Sequence, residues 1–116
     1  MNKTIVVYYT SLKGDSPVSD FLDSLNYKQQ TKLLRIIKYV EIYGLQSILP
    51  HTKKLSGTLL WEMRILGRDS IRALYAVVYN NSILILNGFI KKSQKTPPNE
   101  ISIAMARLKE WKHRNS

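Results

Sequence analysis

Between residues 59 and 90 the chain alternates in a way that only a sheet satisfies. In "LLWEMRI" Trp61, Met63 and Ile65 fall on one face, with Glu62 and Arg64 on the other. After the turn "GRDS", "IRALYAVVYN" sets Ala73, Tyr75 and Val77 opposite Arg72, Leu74 and Ala76. After "NNS", "ILILNGFI" is apolar almost throughout, which marks a central strand. Three strands joined by turns this short make a mostly antiparallel sheet, and helices must cover its apolar face.

The remaining elements carry their own punctuation. "TIVVYYT", residues 4–10, is β-branched and aromatic and reads as a strand. Ser16 caps a short helix that Pro17 opens, with Val18, Phe21, Leu22 and Leu25 as its apolar face. Asn26 and Gln29 have capping-box spacing and start a second helix. Its buried stripe is Leu33, Ile36, Ile37, Val40 and Tyr43, and Gly44 stops it. Lys28, Lys32, Arg35 and Lys38 read as that helix's solvated face. Residues 45–58 lack a period and are expected to be irregular. "TPPNE" opens a last helix with Ile101, Ala104, Met105, Leu108 and Trp111 as its stripe, and the tail "KHRNS" is expected to fray. The expectation is one α+β domain over residues 1–116, in the order β-α-α-β-β-β-α. Its sheet is small and mostly antiparallel, with the helices packed on one face.

Charge then narrows the function. Eighteen Lys and Arg against eight Asp and Glu give a net +10, which draws polyanions. There is no cysteine, so disulfides and thiolate metal sites are excluded, and two histidines do not make a metal cluster. The acids are scattered, so no metal and no cofactor is expected. The apolar runs are shorter than the ~18 residues a membrane span needs, so no membrane partner and a cytoplasmic location are expected.

The cations converge from three segments. Arg64 and Arg72 lie inside strands on the face opposite the apolar residues, where two guanidiniums across a hairpin can grip one phosphate. A structural alternative pairs Arg64 with Asp69 or Glu62. Lys53 and Lys54, with His51 beside them, enter just before the hairpin as candidate RNA-binding residues. Lys91, Lys92 and Lys95 enter at the end of the neighbouring strand. Tyr75 and Tyr79 are positioned to stack on bases, although strand tyrosines are more often core. If RNA is cut here, the 2′-OH attacks its own phosphorus while cations stabilise the pentavalent charge. Arg64, Arg72, Lys91, Lys92 and Lys95 are the catalytic candidates, and Glu62 is a possible base.

Taken together, "KKLSGTLLWEMRI", "SIRALYAVVYNNSILILNGFIKKSQKTPPNEI" and "AMARLKEW" resemble the RelE/ParE toxin superfamily, nearest its HigB-type, phage-derived branch. The resemblance implies a ribosome-dependent endoribonuclease that cuts mRNA in the decoding site. It also implies a cognate antitoxin, commonly a helix-turn-helix protein of the HigA kind. By position, Lys53 and Lys54 match the family's basic residues ahead of the first hairpin strand. Arg64 and Arg72 match the paired strand arginines, and Lys91, Lys92 and Lys95 match the basic end of the last strand. Some members place a histidine or tyrosine at that end; here it carries only lysines, and His51 is a partial candidate for proton transfer. Two other readings belong to different classes: a ParE-like inhibitor of DNA gyrase, and a non-catalytic nucleic-acid-binding module. The converging cations favour the nuclease over the gyrase poison.

Overall fold

A computed structural model describes residues 3–65, 67, 70–79, 81–91 and 95–116. The elements are β1 (Ile5–Tyr8), α1 (Pro17–Ser24), α2 (Tyr27–Tyr43), β2 (Thr52–Lys54), β3 (Trp61–Arg64), β4 (Ile71–Val78), β5 (Ser82–Ile90) and α3 (Pro98–Arg114). They build a five-stranded sheet in the order β1-β5-β4-β3-β2. β1 runs parallel to β5, and the other neighbours are antiparallel. β4 holds the middle of the sheet, and β5 has a neighbour on each side.

The helices cover both faces, not one. Val18 and Leu22 of α1 and Leu33, Ile37 and Val40 of α2 pack on Met63, Ala73, Tyr75, Ile83 and Ile85. Ala104 and Leu108 of α3 pack on the opposite side, against Leu74, Ala76, Leu84 and Leu86. The physical reason lies in β5. Ile83, Leu84, Ile85 and Leu86 are all within 1% of fully buried, so each face of that strand carries apolar side chains. Each such side chain left in water forfeits about 1.5–3 kcal/mol, so one helical layer cannot suffice.

Local signals mostly act as their chemistry dictates. Asn26 accepts from the Gln29 amide at 2.9 Å, and the Gln29 side chain accepts from the Asn26 amide at 3.0 Å. Gly44 ends α2 at φ 85°, a conformation that suits a residue without Cβ. Ser16 differs from expectation: its hydroxyl reaches Ser19 Oγ at 3.0 Å instead of a helix amide. Tyr43 and Met105, expected in the apolar stripes, are about half exposed at 54% and 47%.

Residues 45–58 are more ordered than their lack of period suggests. Leu45–His51 is a 3-10 helix that buries Ile48, and β2 then pairs with β3 as an edge strand. Thr52 Oγ1 and Tyr75 OH lie 2.6 Å apart, tying this edge to the core. The tail differs too, since α3 continues to Arg114. Arg114 binds the Glu110 carboxylate and the Thr10 carbonyl. Tyr9 OH donates to Glu110 Oε1 at 2.5 Å, and the Arg107 and Arg114 guanidiniums sit 5.9 and 5.7 Å from the Tyr9 ring centroid.

Two outcomes test this packing. A Cβ at Gly88 of β5 would lie 2.3 Å from Phe21 Cδ2, because α1 lays that ring on the bare strand backbone. Gly88→Ala should therefore cost about 1–3 kcal/mol in urea denaturation. In a Phe21→Ala background most of that cost should vanish; equal costs in both backgrounds would mean the ring is not the obstacle. The second concerns pH. The Arg114 guanidinium, and next the Tyr9 hydroxyl, hold the Glu110 carboxyl below its ordinary range by hydrogen bonding. A carboxyl with a lower pKa folded than unfolded stabilises above its unfolded value, about 4.3. That contribution is lost as pH falls through the lowered value. Amide protection factors over residues 111–114 should fall on acidification before those of the rest of α3, and Glu110→Gln should remove the dependence.

Candidate nucleic-acid interface

The strand register assembles the cations. Arg64 of β3 stands directly opposite Arg72 of β4, and Arg72 in turn is opposite Phe89 of β5. Glu62 lies two residues along β3, opposite Leu74 on one side and Lys53 on the other. All of these belong to the α3 side of the sheet, at the end away from the Ala76 and Val78 contacts of the second core. Arg64 is exposed, and the Arg72 side chain keeps 16% of its surface in solvent.

Like charges directly opposite on a sheet repel, so something must offset them. That group is Glu62, whose side chain is only 1% exposed. Its Oε1 lies 3.7 Å from Arg72 Nε and 3.5 Å from Lys91 Nζ, and its Oε2 accepts a hydrogen bond from Thr96 Oγ1. Arg72 also donates from Nη1 to the Ile71 carbonyl at 2.9 Å. The expectation of Glu62 as a base is corrected here: an enclosed carboxylate with both oxygens engaged is not open to a substrate proton. Lys91, with 10% of its side chain exposed, turns inward to this carboxylate. Lys95 is exposed, while Lys92 lies outside the described residues, as does Asp69, the other partner expected for Arg64. Among the described residues no ion pair joins Arg64 to a carboxylate.

His51 comes into the site from the end of the 3-10 helix. The β2–β3 register pairs Thr52 with Met63, so the next step outward brings His51 alongside Arg64. His51, Arg64 and Arg72 line one cavity of about 240 Å³ with Pro50, Ile65 and Gly67. Lys32, expected on a solvated helix face, instead reaches the rim of this cavity. A Cβ built on Gly67 would lie 2.6 Å from its Nζ. Nothing in a helical period signals that reach across to the β3–β4 turn.

Other candidates separate. Lys53, opposite Glu62, shares the arginine face and is exposed. Lys54 is opposite Trp61, hence on the other face, and its Nζ donates to the Thr58 carbonyl of its own turn. Tyr75 is fully buried in the first core, where burial raises its pKa, and cannot stack on a base. Tyr79 is exposed but packs on Trp111 with ring centroids 5.6 Å apart. Thr96 was not singled out by sequence; its only signal is its place between the lysine segment and the helix-opening prolines.

The family model described as phage derived protein Gp49-like (DUF891) matches residues 20–109, well over half of the chain. No curated protein matches. Among solved structures, the archaeal RelE-RelB complex from Pyrococcus horikoshii OT3 is similar in fold, with a TM-score of 0.53 at 21% identity. The match spans 79% of this chain and 98% of that one. The chain thus belongs to the phage-derived Gp49-like family and shares the fold of the archaeal RelE-RelB structure.

Proposed function

We propose that this protein is the toxin of a type II toxin–antitoxin pair and cleaves ribosome-bound mRNA. The reading rests on one observation above all: Arg64 and Arg72 face each other across β3 and β4 and share a cavity with His51. Two adjacent guanidiniums match the non-bridging oxygens of a phosphodiester, and their forks can bind it bidentately. In the reaction the 2′-OH attacks the adjacent phosphorus, the P–O5′ bond breaks, and a cyclic phosphate and a 5′-OH result. Arg64 and Arg72 stabilise the charge that builds on phosphorus oxygens. His51, which lines the same cavity, is the candidate to take the 2′-OH proton or to give one to the departing oxygen. Lys53 and Lys95 bind flanking phosphates electrostatically, and Lys92, outside the described residues, stays a catalytic candidate from the sequence alone.

The net charge of +10 supports a polyanionic target such as the ribosome. The same reading assigns a cognate antitoxin, of the helix-turn-helix kind, as the neutralising partner and the cytoplasm as the place of action. Among the described residues no helix is long and apolar enough to cross a membrane.

Arg64→Ala should reduce the saturated cleavage rate by about 10²-fold, the usual cost of one lost transition-state donor. Its fold should be unaffected, because the side chain is exposed and bears no described ion pair. His51→Ala should also lower the saturated rate. Lys53→Gln should instead weaken binding and flatten its salt dependence by about one counterion. Reaction of ribosome-bound message in single-turnover assays measures all three. A wild-type rate for Arg64→Ala would remove the clamp. If induction of the protein halts thymidine incorporation before amino-acid incorporation, gyrase inhibition replaces RNA cleavage.

A further inference from the structure

A buried carboxylate is an odd group to find beneath a phosphate site. It repels the substrate it lies under, and an ion out of water is tolerated only when it is closely paired. A Met or Leu of similar volume would fill the same space without that penalty. The charge of Glu62 therefore needs a reason beyond packing.

Its partners supply one. They come from three different places: Arg72 in β4, Lys91 just past β5, and Thr96 just before α3. The two oxygens divide the work, with Oε1 facing both cations and Oε2 taking the Thr96 hydroxyl. Arg72 Nε is buried and, among the described residues, has no hydrogen-bond acceptor; the Glu62 carboxylate faces it, with Oε1 at 3.7 Å. With Nη1 bound to the Ile71 carbonyl, this fixes the guanidinium from two sides. The negative charge also offsets the repulsion between Arg72 and Arg64, which share one cross-strand pair. Lys91 and Thr96 bracket the basic segment, so one carboxylate ties both of its ends to β3.

We propose that Glu62 is the positioning residue of this site: its charge, not its shape, sets Arg72, Lys91 and Thr96 in place, and it acts on RNA only through them. The proposal rests on the phosphate-site reading above. It predicts a specific division between two conservative variants. Glu62→Gln keeps the shape and an acceptor for Thr96 but loses the charge. Glu62→Asp keeps the charge on a side chain one methylene shorter.

The experiment compares both variants and Thr96→Val with the wild type. It records the saturated cleavage rate of ribosome-bound mRNA, the ribosome concentration at half-saturation, and thermal melting. Glu62→Gln should lose about 10²-fold in saturated rate, as misplacement of a clamp by an ångström does, with half-saturation unchanged or tighter. Glu62→Asp should keep more of the rate than Gln, even where it melts lower, and Thr96→Val should fall between wild type and Gln. A purely structural role gives the opposite order, with Gln the better variant and rate tracking melting temperature; that result overturns the proposal. So does a Gln variant with the wild-type saturated rate. If Glu62→Gln fails to fold, the Asp and Thr96→Val variants decide. A saturated rate lowered in Thr96→Val at unchanged half-saturation supports the proposal, and a wild-type rate there overturns it. If the wild-type protein cleaves no ribosome-bound message, the nuclease reading fails by itself. The side-chain Nε–H signal of Arg72 in NMR then judges Glu62 separately. Protection from exchange that is lost in Gln and kept in Asp supports positioning by charge, and an unchanged signal overturns it.

Discussion

Burial of β4 and β5 on both faces is the constraint from which the other placements follow. Leu74, Leu84 and Leu86 are fully buried on one side, and Tyr75, Ile83 and Ile85 on the other. At about 1.5–3 kcal/mol per side chain, these contacts outweigh any exposed ion pair, worth about 0–1 kcal/mol. Once α1 and α2 occupy one side, the last helix has to cross to the other. α3 then covers the part of that face bearing Leu74, Ala76 and Val78, and Arg64 emerges beyond it. The site is thus the part of that face which α3 leaves uncovered.

Electrostatics then acts inside a frame that packing has already fixed. Two unit charges about 4 Å apart interact by about 4 kcal/mol at an effective dielectric of 20, near a protein surface. A facing arginine pair is costly on that scale, and Lys91 adds a third cation. One enclosed carboxylate facing two of them offsets part of that repulsion and leaves a net positive cluster with an exposed guanidinium at its edge. The geometry separates two kinds of cation: Arg72 and Lys91 are held inward, while Arg64, Lys53 and Lys95 remain toward solvent.

Much of this was legible from residue order, and what was not has physical causes. Period-two alternation placed Arg64 and Arg72 on one face correctly, since a strand permits only two directions. The Asn26–Gln29 capping box was equally readable because its partners are three residues apart. The side chosen by α3 was not, because a helical stripe tells which face of the helix is apolar but not which face of the sheet receives it. The clue was present in "ILILNGFI", whose lack of alternation already required cover on both sides. β2, at three residues, is too short to show a period. The ties that keep the C-terminal turn from fraying join Arg114 to Thr10 and Glu110 to Tyr9, positions about a hundred residues apart. Glu62 was legible as a charged strand residue but not as a buried one, since its partner Thr96 comes from a segment with no pattern.

Range separates what the charge does from what the site does. Fields from exposed cations decay within about 8 Å at physiological ionic strength. On the proposed reading Lys28, Arg35 and Lys38, on the helical layer across the sheet, add to the attraction of a polyanion but lie too far away to stabilise one phosphorus. A chain with the same +10 spread over those positions would still bind RNA, loosely and without orientation. Selectivity for one phosphate would require donors with fixed directions, which on the proposed reading come from the β3–β4 register and the enclosed carboxylate. On that reading the orienting contacts are confined to a few residues, while exposed cations such as Lys28, Arg35 and Lys38 speed encounter with the polyanion without orienting it.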